Sequence, residues 1–96
     1  INTASYELGQ IQREEGNLEG ALASFQRIAL LADPDNPEIR PLIEKSLLES
    51  LDLFDQVERY ADVIDACDRY EELFPEGDHL SEVRKRRADA VLKAAS

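Results

Sequence analysis

Apolar residues recur along this chain at three- and four-residue steps, the spacing that lines one face of an α-helix. The pattern is broken at Gly16-Asn17, at Asp33-Pro34-Asp35-Asn36-Pro37, after Val57 and at Pro75-Glu76-Gly77. These are residues that cap, turn or terminate helices. The spacing therefore predicts five helices, over 3–15, 18–32, 40–57, 60–74 and 79–95. Their predicted core faces carry Leu8 and Gly9, then Leu18, Ala21, Phe25 and Ile28. The fourth carries Tyr60, Val63, Ile64, Cys67, Tyr70 and Leu73, and the fifth Leu80, Val83, Val91 and Leu92.

The third helix has the widest stripe. Ile39, Leu42, Ile43, Leu47, Leu51 and Phe54 form it, and Leu48 and Leu53 broaden it, which predicts contact on more than one side. Asn36 is placed to cap this helix with Pro37 at its first position. Pro41 lacks an N–H and crowds the preceding turn. The regular helix is therefore expected from Arg40, with 37–39 as a looser turn. Asp78 is the expected cap of the fifth helix.

Leu8-Gly9, Leu18, Ala21, Phe25 and Asp33-Pro34 together resemble the tetratricopeptide repeat, whose period is ~34 residues. Small residues (Gly9, Ala21) stand where two helix backbones would approach, and large ones where a core would be filled. The resemblance implies an all-α fold, an α-solenoid of antiparallel helix pairs. About two repeats plus a C-terminal capping helix would span 1–96 as one domain. Repeat one covers 2–35, a longer degenerate repeat two covers 37–76, and the fifth helix covers 79–95. The second repeat lies 42 residues after the first, pairing Tyr60, Val63, Ile64, Cys67 and Tyr70 with Leu18, Ala21, Leu22, Phe25 and Ile28. It lacks the Leu-Gly pair, and Val63 replaces the small Ala21. Ser81, Arg84 and Lys85 hold what would be apolar positions of a third repeat, which implies a cap. Residues 60–78 are also similar to repeats of bacterial envelope proteins, so the cytoplasm and the bacterial periplasm are the expected compartments.

The same resemblance implies a non-enzymatic scaffold that holds a peptide or partner protein on the concave face of stacked helix pairs. Carried over position by position, that face comprises Thr3, Tyr6, Gln10, Arg13 and Glu14 from the first helix. From the third it takes Lys45, Leu48, Asp52, Asp55 and Gln56. Co-chaperones of this family clamp a C-terminal carboxylate with Lys, Arg and Asn. Tyr6, Gln10, Leu48 and Asp52 stand in those places here, so a basic or apolar ligand is expected instead. A self-association module, or a regulatory appendage of a larger envelope protein or enzyme, is the alternative. The sequence starts at Ile1 inside the helical pattern, as a piece of a longer protein would.

Composition narrows the function classes. The chain has 96 residues, a formal charge of −10, one cysteine and one histidine. Residues 37–75 hold eleven acids against four bases, and 76–96 hold four acids against five bases. A net field of this sign repels nucleic acid and favours basic partners. Arg84-Lys85-Arg86-Arg87 is the one basic run, but consecutive helix residues point in different directions. Its expected role is internal, neutralising Asp62, Asp65, Asp68 or Glu72. Lone Cys67 permits no internal disulfide and no cysteine-based metal site, and is expected in the core. No phosphate loop, calcium loop or nucleophile elbow appears, so neither catalysis nor a cofactor is expected. No apolar run approaches the ~20 residues of a membrane span.

Overall fold

A computed structural model describes residues 2–96, with only the backbone described for Asn2; the expected helical start at Ile1 lies outside them. Among the described residues the fold is all-helical: α1 (Asn2–Glu14), α2 (Leu18–Leu31), α3 (Arg40–Gln56), α4 (Tyr60–Leu73) and α5 (Leu80–Ala95). Each agrees with the predicted helix to within one residue at the ends. The chain forms two compact units, one reaching Ser50 and the other Leu51–Ser96, and α3 runs from the first into the second. No helix among the described residues is long and apolar enough to cross a membrane.

In the first unit the chain reverses after α1, and α2 packs back along it. Gly16 makes the reversal with φ at +81°, a backbone shape that costs an L-residue dearly. Its N–H donates to the Arg13 carbonyl, and the Asn17 N–H donates to the Gln12 carbonyl, 2.8 Å away. This pair of bonds satisfies carbonyls that the helix end would otherwise orphan. Asn17 then caps α2, its side-chain oxygen accepting from the Gly20 N–H at 3.0 Å.

The α1–α2 contact is close because Gly9 is small. A Cβ there would stand 2.8 Å from the Phe25 ring, nearer than packed carbon atoms tolerate. Phe25, Ala21, Ile28 and Ala29 are fully buried. Tyr6 meets Phe25 edge to face, centroids 5.4 Å apart. Ser24 donates to the Gln12 side chain at 2.6 Å, so the seam also carries a polar bond. Leu8, expected in the core, is instead 45% exposed, as is Ile11 at 52%. They share the flank of α1 next to the Ser5 and Gly9 face that is buried.

The late start at Arg40 matches expectation, but Asn36 caps the 37–39 turn rather than α3 itself. Asn36 accepts from the Glu38 N–H, and its carbonyl accepts from Ile39 and Arg40. Pro37–Ile39 form a turn, and regular helix starts at Arg40. Ile43, Leu47, Leu51, Leu53 and Phe54 are buried, whereas Leu42 and Leu48 are only half-buried. Two serines complete the buried face, Ser46 and Ser50, both fully enclosed. Ser50 Oγ returns a 2.8 Å bond to the Ser46 carbonyl, which satisfies its hydroxyl without a partner from another helix.

In the second unit the α3–α4 reversal repeats the first one 42 residues later. Glu58 has φ at +60°, its N–H donates to Asp55, and the Arg59 N–H donates to Phe54 at 2.9 Å. The residue before each following helix also matches, with φ, ψ of −83°, 76° at Asn17 and −92°, 70° at Arg59. Arg59, however, provides no side-chain cap. The core here is Val63, Ala66, Cys67, Tyr70 and Phe74, with Val83 and Ala90 from α5, which packs on α4. Gly77 passes Tyr70 so closely that a Cβ would come within 2.5 Å of the phenol oxygen.

Two expectations for α5 fail. The helix is entered from His79 with no side-chain cap, so Asp78 does not fill that role. Val91 (43% exposed) and Leu92 (71%) are not core residues. They project from the side of α5 that Val83 and Ala90 do not use.

Candidate functional site

The residues expected to line a binding face divide between the two units. Thr3, Tyr6, Gln10, Arg13, Glu14, Lys45 and Leu48 belong to the first, and Asp52, Asp55 and Gln56 to the second. In the first unit, Thr3, Gln10, Glu14 and Lys45 are exposed, and Tyr6, Arg13 and Leu48 are half-buried. Arg13 Nη1 donates to Glu49 Oε2, which ties α1 to α3. Tyr6 lies within reach of the same pair. Burial raises its phenol pKa first, the Glu49 charge raises it further, and Arg13 partly offsets both. The structure therefore gathers Tyr6, Arg13 and Glu49 into one partly buried polar cluster. Glu49 was not singled out from sequence, although Lys45, Glu49, Asp52 and Gln56 fall at helical steps along one face.

The acidic positions of the second unit are already engaged. Asp52 accepts a 2.6 Å ion pair from Arg86 Nη1, and Asp55 lies 3.6 Å from Lys93 Nζ. Both bases come from α5. Arg86 also approaches Glu82 at 3.5 Å, and Lys93 pairs with Asp89 at 3.0 Å. Gln56 is exposed. Burial alone would lower the Arg86 pKa, but the charge and hydrogen bond of Asp52, helped by Glu82, outweigh it and raise the value. Lys93 is raised as well, chiefly by its hydrogen bond to Asp89, against a smaller desolvation effect, with Asp55 adding to the rise.

The basic run pairs internally, as expected, with a different set of acids. Arg87 Nε donates to Asp68 at 2.7 Å, and Arg84 donates to Glu71 through Nη2 at 2.6 Å and Nε at 3.0 Å. Of the acids named from sequence, Asp68 is the one that takes part. Glu71 and Asp52 were missed, because the partner of a surface arginine depends on how one helix is rotated against another. Asp62 pairs instead with Arg59, three residues before it. Arg87 is raised in pKa, first by its hydrogen bond to Asp68 and then by that residue's charge.

A cleft of about 190 Å³ lies among Asp55, Val63, Arg86 and Asp89, below the ~300 Å³ at which ligand pockets begin. A wider groove of about 650 Å³ runs beside the start of α5, lined by Leu80, Ser81, Arg84, Lys85 and Ala88. It is open, and Ser81, Arg84 and Lys85 place polar groups along it. Among the described residues, no group of three or more His, Cys, Asp or Glu is placed to hold a metal ion. Cys67 is buried and its thiol is pushed up to about 11, by burial first and by Asp68 second, against the opposing pull of Arg87 and Arg86. A thiol held protonated in this way is a poor nucleophile.

No family model, characterised protein or solved structure matches this chain.

Proposed function

We propose that this chain is a tetratricopeptide-like interaction module, a non-enzymatic scaffold that binds a peptide or partner protein. In such a module helix pairs stack in series, and the first helix of each pair lines a hollow. The positions assigned to the ligand are Tyr6, Gln10, Lys45 and Leu48 in the first unit and Asp52, Asp55 and Gln56 in the second. The observation that carries the reading is one backbone device used twice. The reversal at Gly16-Asn17 and the reversal at Glu58-Arg59 share their hydrogen bonds and dihedral angles at a 42-residue interval. The Gly9–Phe25 approach supports it too, since a small residue at that seam is what the repeat pattern requires. The preferred ligand is basic or apolar, given the acidic positions at Asp52 and Asp55.

The test is amide chemical-shift mapping of the full chain titrated with two Lys/Arg-rich peptides, one extended and one helical. Shifts are expected at Tyr6, Gln10, Lys45, Leu48 and Gln56. Joint Asp52→Lys and Asp55→Lys substitution should weaken the complex about tenfold or more, with helix content retained. No shifts, or shifts confined to the opposite exposed positions such as Ala23, Arg27 and Asp65, would defeat the reading.

A second reading, self-association, draws on Leu8, Ile11, Leu30, Leu31, Val91 and Leu92, large apolar residues left exposed. Sedimentation equilibrium over a hundredfold concentration range separates the two. A monomer throughout favours the adaptor, and a concentration-dependent mass favours association.

A further inference from the structure

α5 is lightly buried, as is α1, of whose described residues only Ser5 and Gly9 are buried. Only Val83 and Ala90 among its sixteen residues are buried, against six buried residues in α2 and four in α4. Its start is uncapped by any side chain. What α5 does have is a row of bases, each facing an acid on another helix of the same unit. Arg84 meets Glu71, Arg86 meets Asp52, Arg87 meets Asp68 and Lys93 meets Asp55. Lys93 also lies over the Tyr60 ring, 5.6 Å from its centroid. The four bridging acids belong to α3 and α4, α5 packs on α4, and its Arg86 and Arg87 lie near enough to Cys67 to act on its charge. Exposed ion pairs of this kind are individually weak and are screened by salt. A helix with two buried residues and a row of such pairs belongs to the less stable part of a fold.

We propose that α5 is a releasable internal ligand, covering an acidic face of α3 and α4 that accepts a basic amphipathic helix. The occupant this face selects is set by the charges on it. It is a helix with bases at the spacing of Arg84, Arg86, Arg87 and Lys93 and small apolar residues at the spacing of Val83 and Ala90. This deepens the binding reading above and rests on it for the statement that the module binds in trans. While α5 is seated, Asp52 and Asp55 are engaged. An incoming basic helix must displace it, so the module's affinity is set in part by a segment of its own chain.

Cys67 provides the reporter. It is the chain's one cysteine, 1% exposed, and close enough to Arg86 and Arg87 for both to act on its charge. Reaction of the full chain with an aromatic disulfide reagent measures how often α5 lifts. The labelling rate should rise about tenfold between 50 and 500 mM sodium chloride, while helix content by circular dichroism stays constant. Arg86→Glu should raise it at low salt, and adding Asp52→Arg should bring it back. A synthetic peptide with the sequence of residues 80–95 should slow labelling, because it occupies the face whenever α5 lifts. The same peptide with its three arginines replaced by glutamate should not. Labelling indifferent to salt, or proceeding only as fast as the whole chain unfolds, overturns the proposal. So does acceleration by salt without protection by the peptide, since the uncovered face then takes no external helix. Failure of the binding reading itself is seen elsewhere, at Tyr6, Gln10 and Lys45, which this assay does not touch.

Discussion

The first unit and the second make the same chain reversal by different means. At Gly16-Asn17 the left-handed position is a glycine and the following residue caps α2 with its side chain. At Glu58-Arg59 the left-handed position is a glutamate and the following arginine caps nothing, pairing instead with Asp62. The backbone geometry is nonetheless the same. The helices on either side fix the turn, and residue choice decides only how much strain the turn retains. The contrast extends to packing. The α1–α2 seam is an apolar approach made possible by Gly9, whereas α5, packed on α4 through Val83 and Ala90, adds four ion pairs to acids of α3 and α4.

The sharpest way to break this contrast is to attack the apolar seam. Phe25→Ala empties a fully buried site and should cost about 3–5 kcal/mol in urea unfolding. Gly9→Ala, which adds a single carbon against the same ring, should cost about 1–3 kcal/mol. If Gly9→Ala is neutral, the close approach is not what holds α1 on α2.

Alkaline pH should erode the second unit. Cys67 and Lys93 both have folded pKa values raised above their ordinary ones. A group with a raised folded pKa contributes its stability fully below the unfolded value and loses it as pH climbs through the folded one. For Cys67 the window lies between the ordinary 9.0 and about 11. Across it the unfolded thiol ionises while the buried one stays protonated. Urea midpoints should therefore fall from pH 9 to 11, and Cys67→Ala should flatten that fall relative to its own value at pH 7.

The smallest effects come from exchanging the turns. Gly16→Ala should destabilise by about 1 kcal/mol, because a Cβ is disfavoured at that φ. Glu58→Gly should stabilise by about 0.5–1 kcal/mol by relieving the same strain. Thermal unfolding of both variants, read against the parent, tests whether the two reversals are energetically equivalent. A Glu58→Gly variant less stable than the parent would show that Glu58 does more than tolerate the turn.

Much of the fold was legible along the chain. Five helices, the glycine that ends α1, the turn at Asn36 and the late start forced by Pro41 are local properties. Each depends on residues within one turn of helix, so the pattern carries them. The candidate face was legible only as a set of positions. Its exposed members Gln10, Glu14, Lys45 and Gln56 carry no signal beyond helical phase. Glu49 became visible through its bond to Arg13, and Asp52 and Asp55 proved to face bases from α5. Ser46 and Ser50 were missed because small polar residues are ordinarily read as surface, and only enclosure by neighbours reveals otherwise.

The sequence by itself determined where helix begins and ends, since capping, proline geometry and three-to-four-residue periodicity act over a few residues. Only the tertiary structure decided which flank of each helix is covered. Leu8, Val91 and Leu92 have the right period for a core and remain exposed, while two serines in α3 are enclosed. Burial depends on how neighbouring helices are rotated and how closely they approach, and that is set by the chain as a whole.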